Sequence, residues 1–89
     1  MNDKSKIWMD GKFVEWNNAK IHILTHGLHY GTAVFEGIRC YNTKNGPAIF
    51  RLEDHVKRLT NSCKMYHMTL EYSEKEISEA IVETIKIND

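Results

Sequence analysis

An excess of one charge, a cysteine framework and a long apolar run are all missing from this chain of 89 residues. Twelve Lys and Arg offset twelve Asp and Glu, so no net field draws in nucleic acid or an anionic membrane. The only cysteines, Cys40 and Cys63, lack metal-type spacing and form no evident disulfide framework; the expectation is two reduced, buried thiols. No apolar stretch approaches the roughly 20 residues of a membrane-spanning helix. The opening Met1-Asn2-Asp3-Lys4-Ser5-Lys6 has no signal-peptide core, which points to the cytoplasm. Repeats, low-complexity segments and linkers are absent too. What remains is the apolar and charged content of a soluble globular protein, at a length that suits one small domain with little stability to spare.

Asp10-Gly11, between Ile7-Trp8-Met9 and Lys12-Phe13-Val14-Glu15-Trp16, is a strong hairpin signal. Ala19 to Leu24 alternates polar and apolar residues and reads as a half-buried strand. Thr32 to Tyr41 is rich in β-formers, Asn45-Gly46-Pro47 reads as a turn, and Ala48 to Leu52 as another short strand. The period changes at Leu52. Leu52, Val56, Leu59, Cys63 and Tyr66 follow helical spacing, predicting an amphipathic helix from Glu53 to about Tyr66, with Glu53 and Asp54 in its favourable first turn. Ser73 and Glu76 form a capping box at the start of a second helix, whose apolar stripe is Ile77, Ala80, Ile81, Thr84 and Ile85. Strands first and helices afterwards predict an α+β fold, an antiparallel β-meander followed by two helices packed on one face. No Gly, Pro or cap stops the second helix before Asp89, the pattern of a chain cut within a larger protein.

Few residues carry chemistry on pattern alone. His22, His26 and His29 are spaced as a helix face would need for a metal, but strand and loop sequence surrounds them and no further ligand completes a set. Hydrogen-bonded loop roles for His26 and His29 are the better expectation, with no metal bound. Glu36 near His29 is too common a pairing to assign an acid–base role. Arg58 lies off the centre of its helix's apolar stripe, where it reads as a solvated flank arginine or as a bidentate phosphate ligand. Strand alternation puts Phe35, Gly37 and Arg39 on one face, which suits either core packing with a bulge and an ion pair, or a ligand with an apolar side chain.

The contiguous run His29-Tyr30-Gly31-Thr32-Ala33-Val34-Phe35-Glu36-Gly37-Ile38-Arg39, followed by His55-Val56-Lys57-Arg58-Leu59, resembles the start of a branched-chain amino acid aminotransferase, a class IV (fold type IV) enzyme that uses pyridoxal 5'-phosphate. The resemblance covers essentially the whole chain, as the small N-terminal domain of such an enzyme or most of it. It implies that Arg58 binds the cofactor phosphate and that Tyr30, Phe35, Gly37 and Arg39 belong to the substrate pocket. It also implies transfer of the amino group of leucine, isoleucine or valine to 2-oxoglutarate, and assembly as a homo-oligomer. Related D-amino acid aminotransferases and aminodeoxychorismate lyases typically carry Gly-Asp-Gly where this chain has Gly31-Thr32-Ala33, which argues against those chemistries.

The resemblance places the Schiff-base lysine and the acid facing the cofactor's ring nitrogen in a second, larger domain. None of the nine lysines here (Lys4, Lys6, Lys12, Lys20, Lys44, Lys57, Lys64, Lys75 and Lys86) matches that lysine, and all read as surface residues. No catalytic residue is therefore assigned, and the 89 residues alone are expected to be inactive. A free-standing, non-catalytic interaction domain is the alternative, with no positive feature to support it.

Overall fold

A computed structural model of the chain describes residues 2–88. Its first unit is a hairpin of β1 (Lys6–Met9) and β2 (Lys12–Glu15), paired antiparallel with Ile7 opposite Val14 and Trp8 opposite Phe13. Asp10 and Gly11 both take left-handed backbone, φ 50° and 90°, as the tight twist-matched hairpin turn demands. Gly11 is also a close-approach site, since a Cβ there would lie 2.9 Å from the Tyr72 hydroxyl oxygen. Tyr72 meets the Trp8 ring edge-on, with centroids 5.1 Å apart.

The helices form where the periodicity places them. Helix α2 spans Leu52–Met65 and α3 spans Glu74–Asn88; α1 is the short segment His26–Tyr30. The capping box is made in both directions: Glu76 N–H donates to Ser73 Oγ and Ser73 N–H to Glu76 Oε1, each at 3.1 Å. Helix α2 ends in a Schellman motif, with Met68 N–H on Cys63 O and His67 N–H on Lys64 O, and His67 takes the left-handed position. Val56, Cys63 and Ile77 are buried, so the core lies along the α2–α3 seam, and α3 also packs on β1. That side of the molecule is fastened by Asn88. Its amide accepts from Lys6 N–H at 2.6 Å and donates to Lys6 C=O at 2.9 Å, closing α3 onto β1 as a neighbouring strand would.

The α+β class stands, and the meander is realised as two separate hairpins. The second pairs β3 (Cys40–Thr43) with β4 (Gly46–Ile49). Pro47 sits within β4 opposite Asn42, and Lys44-Asn45 makes the turn; in a two-stranded unit every strand is an edge, where proline's missing N–H is tolerated. Ala19 to Leu24 is not a strand. Thr25 N–H and Thr25 Oγ1 both donate to His22 O, and Leu24 N–H donates to His22 Nδ1. These local bonds take the backbone groups that a ladder would need. Of the predicted strand from Thr32 to Tyr41, only Cys40 and Tyr41 pair in β3. Residues 32–38 keep a strand's alternation, with Thr32, Val34, Glu36 and Ile38 half-buried and the residues between exposed, but no backbone ladder forms there. Cys40 is exposed, correcting the expectation of two buried thiols, because β3 is exposed along its whole length.

The surface is large for the length. A self-contained monomer of this size exposes about 5,400 Å², whereas this chain exposes 7458 Å². Ile21, Ile23, Leu24 and Leu28 stand exposed in and before α1, as do Phe35, Phe50 and Met65 elsewhere.

Asn88→Ala should leave the Lys6 N–H and C=O without protein partners and lower stability by about 1–3 kcal/mol. A urea-unfolding midpoint unchanged by the substitution would contradict that role.

Candidate functional site

The segment 32–38 is bonded to α2 through one side chain, Glu36, which is only 6% exposed. An ionised carboxylate in that position needs donors, and α2 supplies them from successive turns. Arg58 makes a fork: Nε–H donates to Oε2 and Nη2–H to Oε1, both at 2.8 Å. His55, three residues earlier and so on the same helix face, lies with Nδ1 2.8 Å from Oε1. An ionised carboxylate only accepts, so the imidazole proton in this contact sits on Nδ1. The hydrogen bonds from Arg58, and then from His55, outweigh desolvation and hold the Glu36 carboxyl down to about 2. Glu36 in return raises the affinity of the Arg58 guanidinium for its proton.

Arg58 is thus tethered without being enclosed. Its side chain is 69% exposed, and the fork uses two of five N–H groups, leaving both on Nη1 and one on Nη2 directed elsewhere. Glu36 turns inward, so its neighbours Phe35 and Gly37 turn outward with Arg39; Phe35 is 88% exposed. The fork therefore brings the guanidinium to the segment that carries these residues, though Glu36 itself faces the opposite way. Tyr30 closes α1, its ring tilted against that of His26 at a centroid distance of 4.6 Å. Gly37 has an ordinary backbone φ, and a Cβ there would meet nothing within 4 Å, so neither conformation nor packing requires glycine.

The histidines serve the local fold. His26 and His29 lie on α1 rather than in a loop, and His29 Nε2 is 2.6 Å from Ile23 O. Among the described residues no cluster of three or more His, Cys, Asp or Glu is placed to hold a metal ion. Eight of the nine lysines are exposed; Lys6 is half-buried and paired with Glu15. No helix among the described residues is long and apolar enough to cross a membrane. Sequence reasoning missed Glu36 and His55 as a unit with Arg58. The available signal was the pair His55 and Arg58, one helical turn apart, which can converge on a single acid.

Comparison with known proteins gives this arrangement a context. The family model described as amino-transferase class IV matches residues 33–89. The branched-chain-amino-acid aminotransferase of Escherichia coli (strain K12) is 46% identical over 83 residues, which are 93% of this chain and 27% of that protein. That of Pseudomonas aeruginosa is 48% identical over the same shares. Among solved structures, the T.th. branched-chain amino acid aminotransferase complexed with N-(5'-phosphopyridoxyl)-L-glutamate superposes with a TM-score of 0.91 at 52% identity, over 93% of this chain and 28% of that one. The Escherichia coli enzyme does so with a TM-score of 0.93 at 45% identity, over 96% and 28%. The chain spans about a quarter of the length of these relatives.

Ionised Glu36 contributes stability that is complete above the ordinary value of 4.5 and is lost as pH falls towards about 2. The urea midpoint should therefore be higher for the wild type than for Glu36→Gln near neutrality, with the gap closing as pH approaches 2. A gap that stays constant with pH would show that the carboxylate's charge does not matter.

Proposed function

The chain belongs to the class IV aminotransferase family, and on that premise we propose that it forms the N-terminal small domain of a branched-chain amino acid aminotransferase. The complete enzyme would move the amino group of leucine, isoleucine or valine to 2-oxoglutarate, act in the cytoplasm and assemble as a homo-oligomer. The match to branched-chain relatives along nearly all of the chain carries this reading. A further domain would hold the lysine that bonds the cofactor, since no lysine here matches that position.

The residues present fit the phosphate end of pyridoxal 5'-phosphate. Arg58 offers an exposed guanidinium edge of three N–H groups, permanently charged and shaped for two phosphate oxygens at once. When bound, the cofactor supplies the electron sink that lets an amino group leave one carbon skeleton and join another. The chain's own part is to anchor the phosphate and shape one wall of the substrate pocket. Phe35 presents an exposed ring suited to an apolar side chain. The open space at Gly37 leaves room for that side chain. Tyr30 and Arg39 complete the proposed wall, Tyr30 as an aromatic surface and Arg39 as an exposed cation able to meet a carboxylate.

Three outcomes follow. Arg58→Ala in the complete enzyme should weaken pyridoxal 5'-phosphate binding by about 10–100-fold, the loss expected for a charge-assisted bidentate contact; unchanged affinity in an absorbance titration would remove Arg58 from the site. Gly37→Ala should leave the unfolding free energy within about 0.5 kcal/mol of wild type, as substitutions free of packing and backbone strain do, while lowering kcat/KM for leucine. A loss of stability with leucine turnover intact would reverse that assignment. The complete enzyme should form glutamate from 2-oxoglutarate in the presence of leucine, and the 89-residue chain alone should not.

A further inference from the structure

We propose that Glu36 is a positioning residue that fixes the Arg58 guanidinium so that its outer edge, Nη1 with the second Nη2–H, is presented to the cofactor phosphate. The proposal rests on Arg58 being the phosphate ligand, as argued above, and adds how a flexible, exposed side chain comes to be ready for that task. An unrestrained arginine on a helix flank samples many rotamers and must be ordered at the moment of binding. Here the ordering is done beforehand. The fork at 2.8 Å on both Nε and Nη2 sets the direction of the guanidinium and the rotation of its plane. The acid that sets it is itself fixed, being 6% exposed and bonded on Oε1 by His55 Nδ1. Its backbone belongs to the segment that carries Phe35 and Gly37. One carboxylate therefore couples the position of the phosphate donor to that of the proposed substrate wall.

Charge makes the idea testable in sign. A carboxylate beside Arg58 reduces the net positive charge that an approaching phosphate meets, so by Coulomb attraction alone its removal would tighten phosphate binding. If orientation dominates, removal weakens it. Glu36→Gln keeps the size and separates the two effects. The glutamine oxygen accepts from one donor, while its NH₂ confronts the second Arg58 N–H, so the fork cannot re-form.

The experiment measures dissociation constants of pyridoxal 5'-phosphate and of pyridoxal, which lacks the phosphate, for the complete enzyme and its Glu36→Gln and Arg58→Ala variants. The expected result is that Glu36→Gln weakens the phosphorylated cofactor by about tenfold and leaves pyridoxal within about twofold, in the manner of other supporting contacts behind a ligand-binding group. The ³¹P resonance of bound cofactor should also broaden or shift in that variant. If Glu36→Gln binds the phosphorylated cofactor as tightly as wild type or more tightly while Arg58→Ala weakens it, Arg58 remains the ligand and the positioning role is wrong. If Glu36→Gln weakens both compounds equally, Glu36 is only a structural tie and the proposal is again overturned. If Arg58→Ala changes neither, the phosphate reading fails and this one with it. Should Glu36→Gln not fold, Glu36→Asp replaces it: aspartate keeps the charge but is one methylene too short to receive the fork in the same place, so retained phosphate affinity overturns the proposal and a loss confined to the phosphorylated compound supports it.

Discussion

A carboxylate with almost no exposure cannot stay ionised without donors, and the arrangement around Glu36 follows from that constraint. Arg58 and His55 satisfy it from two consecutive turns of α2. In doing so they attach a segment that has no strand partner among the described residues to the best-packed helix of the molecule. The alternation of an extended chain does the rest: with Glu36 turned towards α2, Phe35, Gly37 and Arg39 are turned outward. One carboxylate thus ties this segment to α2 and holds the guanidinium beside it.

The remainder of the structure serves to keep α2 in place. Val56 and Cys63 are buried on α2, α2 packs on α3, α3 rests on β1, and Asn88 closes the far end by bonding both polar groups of Lys6. The side of α2 towards α1 and the segment before β3 stays open, and apolar side chains there remain in water. An open face of this kind fits a domain that completes its packing against further protein, as the proposed enzyme would provide.

What could be read in the sequence was what neighbours along the chain decide. The Asp10-Gly11 turn, the capping box at Ser73 and the apolar stripes of both long helices depend on residues within four positions of one another, and they formed as the spacing implied, save that Tyr66 caps α2 and stands exposed. The strand expected at 19–24, and all but the last two residues of that expected at 32–41, did not pair, because alternation gives a preference for two faces but cannot supply a partner for the backbone. At 22–25 the side chains of His22 and Thr25 supplied closer partners. As site candidates Arg58, Phe35 and Gly37 rest on the family resemblance, since their pattern alone favours a solvated flank and an ordinary core. The Glu36 cluster was not legible, because its bonds join residues 19 and 22 positions apart, a separation that local periodicity does not constrain.

If Arg58 presents its free edge to a phosphate while still forked to Glu36, a crystal structure of the complete enzyme with pyridoxal 5'-phosphate should show phosphate oxygens within hydrogen-bond distance of Arg58 Nη1 and Nη2, about 2.7–3.2 Å, with Arg58 Nε still on Glu36. A phosphate bound elsewhere, or an Arg58 that has left Glu36 to reach it, would show that the fork does not serve cofactor binding.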